Sequence, residues 1–198
     1  MIGNSPYKED IARLFREGLD LERLHGKTIL VAGATGLVGG CVVDVLMQNP
    51  VRCYKVIAAG RNKERARQKF AAYWGDESFF FAEIDVTQPV TKSMDRMIGE
   101  PVYDELAEGA DYIIDAASNA SPNFFSQHPV EVMKANINGV SNLLEYGLSH
   151  RMKRMVYISS GEIYGEGDGS EFSEKSSGYV DCASVRACYP SSKRAAET

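Results

Sequence analysis

Cysteine is scarce in this sequence: four residues in 198, at positions 41, 53, 182 and 188, with no C-x-x-C pair and no histidine at metal-ligand spacing. That excludes a disulfide-stapled scaffold and a zinc module, and it fits reduced thiols in a cytosolic protein. No metal site is expected. No apolar run approaches the roughly 18 residues of a membrane-spanning helix. The N-terminal Met1-Ile2-Gly3-Asn4-Ser5-Pro6 lacks the basic-then-apolar order of a signal peptide, so the cytoplasm is the expected location. A basic excess is missing too: 22 Lys and Arg stand against 27 Asp and Glu, a net charge of −5. This argues against a dedicated nucleic-acid binder and against a basic membrane-surface protein. It leaves room for an anionic ligand, because a few backbone amides can hold a phosphate without any basic surplus.

What is present is an ordinary globular composition, 44% hydrophobic and 25% charged, which excludes a disordered chain. Ile11, Leu14, Phe15 and Leu19 recur at three- and four-residue spacing after Ser5-Pro6, so a helical N-terminal extension is expected over residues 1–26. From Lys27 onward apolar runs alternate with helical patterns. The runs are 28–32, 54–59, 78–84, 111–117 and 154–159, and the helical patterns lie near 37–48, 62–73, 101–108 and 129–149. Several runs are apolar on consecutive residues, as in strands covered by helices on both faces. The alternation predicts an α/β fold, a doubly wound parallel sheet of Rossmann type with five strands, over residues 27–198. Residues 165–184 break the rhythm with Gly, Ser, Glu and Asp, and read as a functional lid, a mobile segment or both.

Directly after the first strand comes Gly33-Ala34-Thr35-Gly36-Leu37-Val38-Gly39, with an amphipathic helical pattern behind it. Gly33 supplies the unusual backbone angles of a strand-to-helix turn. Gly36 would let a pyrophosphate reach the helix N-terminal amides, and Gly39 would let helix and strand pack closely. In this context the spacing points to a dinucleotide site, the alternative being a tight structural turn. The carboxylate that usually grips the adenosine ribose is missing at the end of the second strand, where Ala59-Gly60-Arg61-Asn62 stands. Arg61 could pair with a 2′-phosphate, which leans toward NADP over NAD; it could equally stack on adenine or face solvent. Asp85 and Val86 end the third strand, where the Asp could accept from an adenine amino group or simply hold a turn.

Tyr189 and Lys193 are four residues apart, and Pro190 between them is tolerable only in a first helical turn. On one helix face, an ammonium near a phenol favours the phenolate, which suits a general acid or base acting on a hydroxyl. Ser160 and Glu162 follow the fifth strand, and in a doubly wound sheet ligands bind beyond the carboxyl ends of the strands.

Taken together, the glycine triplet, Asp85-Val86, Ala116-Ala117-Ser118, the pattern from Asn136 to Leu144, and Ser160, Tyr189 and Lys193 resemble the extended short-chain dehydrogenases/reductases, the NAD-dependent epimerase/dehydratase family. The resemblance implies that Tyr189 exchanges the hydroxyl proton and Ser160 hydrogen-bonds the reacting oxygen. It implies too that Lys193 holds the nicotinamide ribose and lowers the tyrosine pKa. Gly33, Thr35, Gly36, Leu37, Val38 and Gly39, with Ala116, Ala117 and Ser118, would then contact the cofactor. The implied substrate is a nucleotide-activated sugar, oxidised transiently at C4. Gly161 stands where the family's 4,6-dehydratases carry an Asp, which puts plain dehydration in doubt. Arg186-Ala187-Cys188-Tyr189 is similar to UDP-glucuronate decarboxylase-like members, with Glu162 as a further catalytic residue; a 4-epimerase is the next choice. The alternatives are an NADP-dependent carbonyl or alcohol oxidoreductase of the same fold and a non-catalytic dinucleotide-binding module.

The resemblance also implies a homodimer through residues 129–149 and 185–198. Members of the family continue well past Tyr-x-x-x-Lys, so a chain ending at Thr198 is expected to lack the substrate-binding part, to leave the fifth strand as an open sheet edge, and to show no turnover by itself.

Overall fold

The computed structural model describes residues 5–198. Residues 1–4 of the expected N-terminal extension lie outside the described residues. The five apolar runs become β1 (Thr28–Ala32), β2 (Lys55–Gly60), β3 (Phe79–Glu83), β4 (Tyr112–Asp115) and β5 (Arg154–Tyr157). All pair in parallel, in the order β3-β2-β1-β4-β5. The chain therefore builds outward from β1 in one direction and then returns to build in the other. The reversal falls between β1 and β4, the place where doubly wound sheets open a crevice at their carboxyl edge.

Four of the expected helices are α2 (Leu37–Gln48), α3 (Lys63–Lys69), α5 (Pro101–Glu108) and α7 (Pro129–Ser149). Helix α1 (Ser5–Arg16) docks on α2: Ile11 is buried, and Tyr7 donates a 2.8 Å hydrogen bond to the buried Asp44 carboxylate. Two helices carry no periodic signal because they span barely more than a turn, α4 (Val90–Met94) and α6 (Pro122–Gln127). Helix α3 stops at Lys69, short of the expected residue 73. Phe70 and Tyr73 turn into the core there, and the chain leaves through Gly75 at φ +101°. Trp74 lies in the turns after the helix.

Two cores form, one on each face of the sheet. Leu30, Ala32, Ile57 and Ala59 face α4, α5 and α7, meeting Val90, Leu106 and Leu143. Their neighbours Ile29, Val31, Val56 and Ala58 face α2 and α3, meeting Val43, Leu46 and Phe70. At roughly 1.5–3 kcal/mol per fully buried aliphatic side chain, β1 and β2 anchor the domain. The last strand differs. In β5, Arg154 and Val156 are exposed, and the strand forms an outer edge of the sheet. No helix among the described residues is long and apolar enough to cross a membrane.

After β5 the chain makes a single helical turn (Gly161–Tyr164) and then the 165–184 segment. That segment is pinned at both ends: Glu166 N–H donates to Tyr179 O (2.8 Å), and Gly178 N–H to Tyr164 O (2.7 Å). Phe172 stacks on Tyr164 with ring centroids 5.4 Å apart. Arg194, in the final helix α8 (Cys188–Glu197), donates to Gly178 O at 2.9 Å and fastens the segment from below.

Candidate active site

The cleft at the reversal point is lined by Gly33, Thr35, Gly36, Gly60, Arg61, Arg65, Ile84, Asp85, Val86, Thr87 and the 116–119 loop, with Ala135 beneath. Gly33 is required here on two counts. Its φ is +71°, and a Cβ would stand 2.5 Å from the Ala116 carbonyl oxygen and 2.7 Å from Ala117 Cα. Gly39 packs beneath the loop, where a Cβ would lie 2.5 Å from Gly33 O, so α2 approaches the strand as its spacing predicts. Gly36 is different: a Cβ there would meet only Gly33 O, at 3.1 Å, and the residue borders the cleft. The Leu37 and Val38 side chains are exposed, and these residues offer only the unpaired amides of a helix's first turn. The loop fits an anion held by backbone, and it fits a dinucleotide.

Past the end of β2, Arg61 is joined in the cleft wall by Arg65, one helical turn along. Arg65 is not among the residues the motifs single out, and its one signal in the sequence is the four-residue spacing from Arg61. Asp85 spends one carboxylate oxygen on its own turn, accepting from Thr87 N–H (3.0 Å) and Thr87 Oγ1 (2.8 Å). Val86 O accepts from Asn142 Nδ2 at 2.8 Å, which ties α7 to the cleft wall.

Tyr189 and Lys193 stand at the start of α8, both buried, but they do not line this cleft. Tyr189 stacks on Phe125 with centroids 4.4 Å apart. The Lys193 ammonium donates to Ile158 O at 2.7 Å and lies 4.4 Å from the Tyr157 ring centroid and 5.9 Å from that of Tyr189. Burial pulls Lys193 down to about 8, against the opposing pull of the Asp115 and Glu197 carboxylates. Asp115, at the end of β4, is pushed up to about 6 by burial, although Ala117 N–H and the Lys193 charge both favour its anion. Asp115 Oδ2, Tyr157 Oη and Ser159 Oγ are buried and carry no hydrogen bond among the described residues. Asp115 and Tyr157 are register partners across β4 and β5, so these orphaned groups collect at two adjoining strand ends. Such a set suits a polar ligand group beside Lys193.

A hydrogen-bonded line joins the two parts. Ser118 Oγ donates to Asn136 Oδ1 (2.8 Å), Asn136 Nδ2 to Ser192 Oγ (2.8 Å), and Ser192 Oγ to the Tyr189 carbonyl (3.0 Å). Ser118 belongs to the cleft wall, Asn136 to α7 and Ser192 to α8, so the first turn of α8 is fastened to the cleft through a buried amide.

Ser160 accepts from Glu162 N–H at 3.2 Å, capping its turn and leaving its own proton to donate. Glu162 forms a two-pronged ion pair with Arg186, at 2.6 and 2.9 Å. Both border a second hollow, with Glu166, Tyr179, Asp181 and Pro190, between the pinned segment and α8. Gly161 presents no side chain, and a Cβ there would meet nothing within 4 Å.

The chain is similar in sequence and in structure to known proteins. The chain is 32% identical to UDP-glucuronic acid decarboxylase 6 of Arabidopsis thaliana over 171 residues, covering 86% of this chain and 44% of that protein. It is 32% identical to UDP-glucuronic acid decarboxylase 1 of Xenopus tropicalis over 174 residues, 87% of this chain and 36% of that one. The chain thus spans less than half the length of these relatives. Among solved structures, UDP-glucose 4-epimerase of Thermotoga maritima with UDP-glucose superposes with a TM-score of 0.64 at 23% identity, over 86% of this chain and 48% of that one. A double mutant of dTDP-glucose 4,6-dehydratase from Streptomyces venezuelae, with NAD bound, gives 0.67 at 21% identity, over 85% and 49%. These two share the fold. The model of the family described as NAD dependent epimerase/dehydratase matches residues 29–198, from the first strand through the glycine loop and Tyr189 to the last helix. On that span, the chain belongs to the NAD-dependent epimerase/dehydratase family.

Proposed function

We propose that this chain carries the cofactor-holding and proton-transfer machinery of an enzyme that modifies a nucleotide-activated sugar through transient oxidation at C4, with decarboxylation of a sugar uronate as the leading outcome. The observation that supports this best is the buried Tyr189–Lys193 pair, fastened to the wall of the glycine-loop cleft by Ser118, Asn136 and Ser192. The chemistry a nicotinamide dinucleotide supplies when bound is reversible hydride transfer. Gly33, Thr35, Gly36 and the first-turn amides of Leu37 and Val38 would hold its pyrophosphate. Asp85, Val86 and the Ala116–Ser118 loop would border the rest, with Lys193 at the nicotinamide ribose.

Within the site, Tyr189 exchanges the proton of the substrate hydroxyl, and Ser160 donates a hydrogen bond to the same oxygen. Lys193 keeps positive charge beside the phenol. Glu162, steadied by Arg186, faces the hollow where a sugar would lie. Decarboxylation is preferred to dehydration because Gly161 offers no acid to expel water, and because relatives at 32% identity are UDP-glucuronic acid decarboxylases. Arg61 and Arg65 together favour NADP over NAD, since two guanidiniums in the cleft suit an added phosphate. The same pair supports the second reading, an NADP-dependent carbonyl or alcohol oxidoreductase.

Helix α7 exposes Val130, Met133, Ile137, Leu144 and Leu148 along one stripe, which supports a homodimer through this face. Sedimentation tests it, with Ile137→Asp expected to run as a monomer. The four free thiols suit the cytoplasm.

The deciding experiment identifies the dinucleotide that co-purifies, titrates NADPH and NADH, and follows UDP-glucuronate, UDP-glucose and dTDP-glucose by NMR with the full-length natural polypeptide. Release of carbon dioxide from UDP-glucuronate is the expected result. Turnover of simple carbonyls alone would move the assignment to the oxidoreductase reading. Dinucleotide binding with no turnover of either class would leave a binding module.

A further inference from the structure

The glycine loop has a support behind it that neither the family reading nor the cofactor reading uses. Arg61, Arg65 and Lys69 follow one another at four-residue spacing, and where the two arginines border the cleft, Lys69 passes behind the loop. Its ammonium donates to the carbonyl oxygens of Thr35, at 3.2 Å, and of Gly36. These carbonyls belong to the last two residues before α2 begins. Room for the ammonium exists only because residue 40 is glycine: a Cβ there would lie 2.0 Å from Lys69 Nζ. The ammonium also lies 5.7 Å from the Phe70 ring centroid. Among the described residues it makes no ion pair, so its charge is not spent on a carboxylate contact. The groups with an electrostatic influence on it are Asp44 and Cys41 of α2 and Arg65 of its own helix. The Asp44 carboxylate is itself held by the hydroxyls of Tyr7 and Tyr73.

Two physical consequences follow. The peptide joining Gly36 to Leu37 is planar and trans, so a Gly36 carbonyl held by Lys69 fixes the Leu37 N–H in the opposite sense, out of the helix N-terminus. In addition, a full positive charge behind the loop adds to the roughly half charge of the helix dipole at the same place.

We propose that Lys69 is a positioning residue for the pyrophosphate of the bound dinucleotide, fastening the glycine loop from behind and lending it charge, with Gly40 as the space it occupies. This rests on the dinucleotide reading of the cleft. The test compares wild type with Lys69→Met and Gly40→Ala, each checked for folding by circular dichroism. Two readouts are used: hydrogen exchange of the Leu37 and Val38 amides without ligand, and NADPH affinity across a salt series. In both variants the loop amides should exchange about tenfold faster and NADPH affinity should fall about tenfold. The salt dependence of binding should be shallower in Lys69→Met, because screening acts on a charge that is no longer there. A loop merely loosened by packing damage would keep the wild-type salt slope. Lys69→Gln keeps donors without the charge, and it serves if Lys69→Met fails to fold: loop exchange near wild type with a shallower salt slope is expected. Unchanged loop exchange, salt slope and NADPH affinity within twofold, in a folded variant, would overturn the proposal alone. A wild-type protein that binds neither NADPH nor NADH would overturn the dinucleotide reading, and this proposal with it.

Discussion

The sheet has two unlike halves. From β1 to β3 the strands are buried almost throughout, and the loop at the centre of the site they end in is made of backbone, with three glycines, first-turn amides and a close contact between the Gly33 and Ala116 loops, while Arg61, Arg65 and Asp85 stand in the wall. From β4 to β5 burial weakens until Arg154 and Val156 are exposed, and the site is made of side chains, with Lys193, Tyr189 and Asp115 buried and one Asp115 oxygen unsatisfied among the described residues. The difference teaches how labour is divided. On the proposed function, a half that recognises by shape keeps its backbone rigid, whereas a half that moves protons keeps costly polar groups in place and accepts lower stability for them.

The comparison breaks most readily at Tyr189. Tyr189→Phe should lower turnover of the full-length polypeptide by about 10²–10⁴-fold while NADPH affinity stays within about twofold, read by steady-state rates and fluorescence titration. A parallel loss of affinity would show that the second half also recognises by shape. Next comes Gly33→Ala, where a strained φ and a backbone collision together should cost about 2–4 kcal/mol, seen in the urea midpoint. A variant of wild-type stability would refute the rigidity of the first half.

Asp115→Asn tests the second half electrostatically. Loss of the anion should drop Lys193 below its value of about 8, measurable by lysine NMR. The sign for stability follows from Asp115 being raised from 3.8 to about 6. The folded protein holds this proton more tightly than the unfolded chain, so the penalty of ionising Asp115 is absent below pH 3.8 and complete above about 6. Relative to wild type, the variant should therefore gain about 2–3 kcal/mol between pH 4 and pH 7 in denaturant titrations. The smallest effect is expected at Val156→Thr on the open edge, within about 0.5 kcal/mol.

The first half was the more legible in the sequence. Its strands announce themselves by consecutive apolar residues, and α2 has the bounds its periodicity predicts, as do α5 and α7 further along the chain, because periodicity over two or more turns is a strong signal. Helices α4 and α6 were silent because five or six residues cannot repeat a pattern. The Tyr189–Lys193 spacing was readable as a shared helix face, but its partners were not. Asp115 looks in sequence like an ordinary strand-end residue, and only the fold brings Tyr157 beside it and Lys193 over both. Arg186 was visible as part of a motif, while its grip on Glu162 depends on a segment of twenty irregular residues closing back on itself.

The buried amide of Asn136 makes these halves one mechanical object. Its oxygen serves the cleft wall and its nitrogen serves α8, so no other residue type of similar size can satisfy both sides at once: an aspartate lacks the donor, and a leucine lacks both groups. A leucine there would strand the Ser118 hydroxyl, leave Ser192 with only its bond to the Tyr189 carbonyl, and uncouple the cleft wall from the first turns of α8. The position is therefore mutationally brittle out of proportion to its distance from any reacting atom.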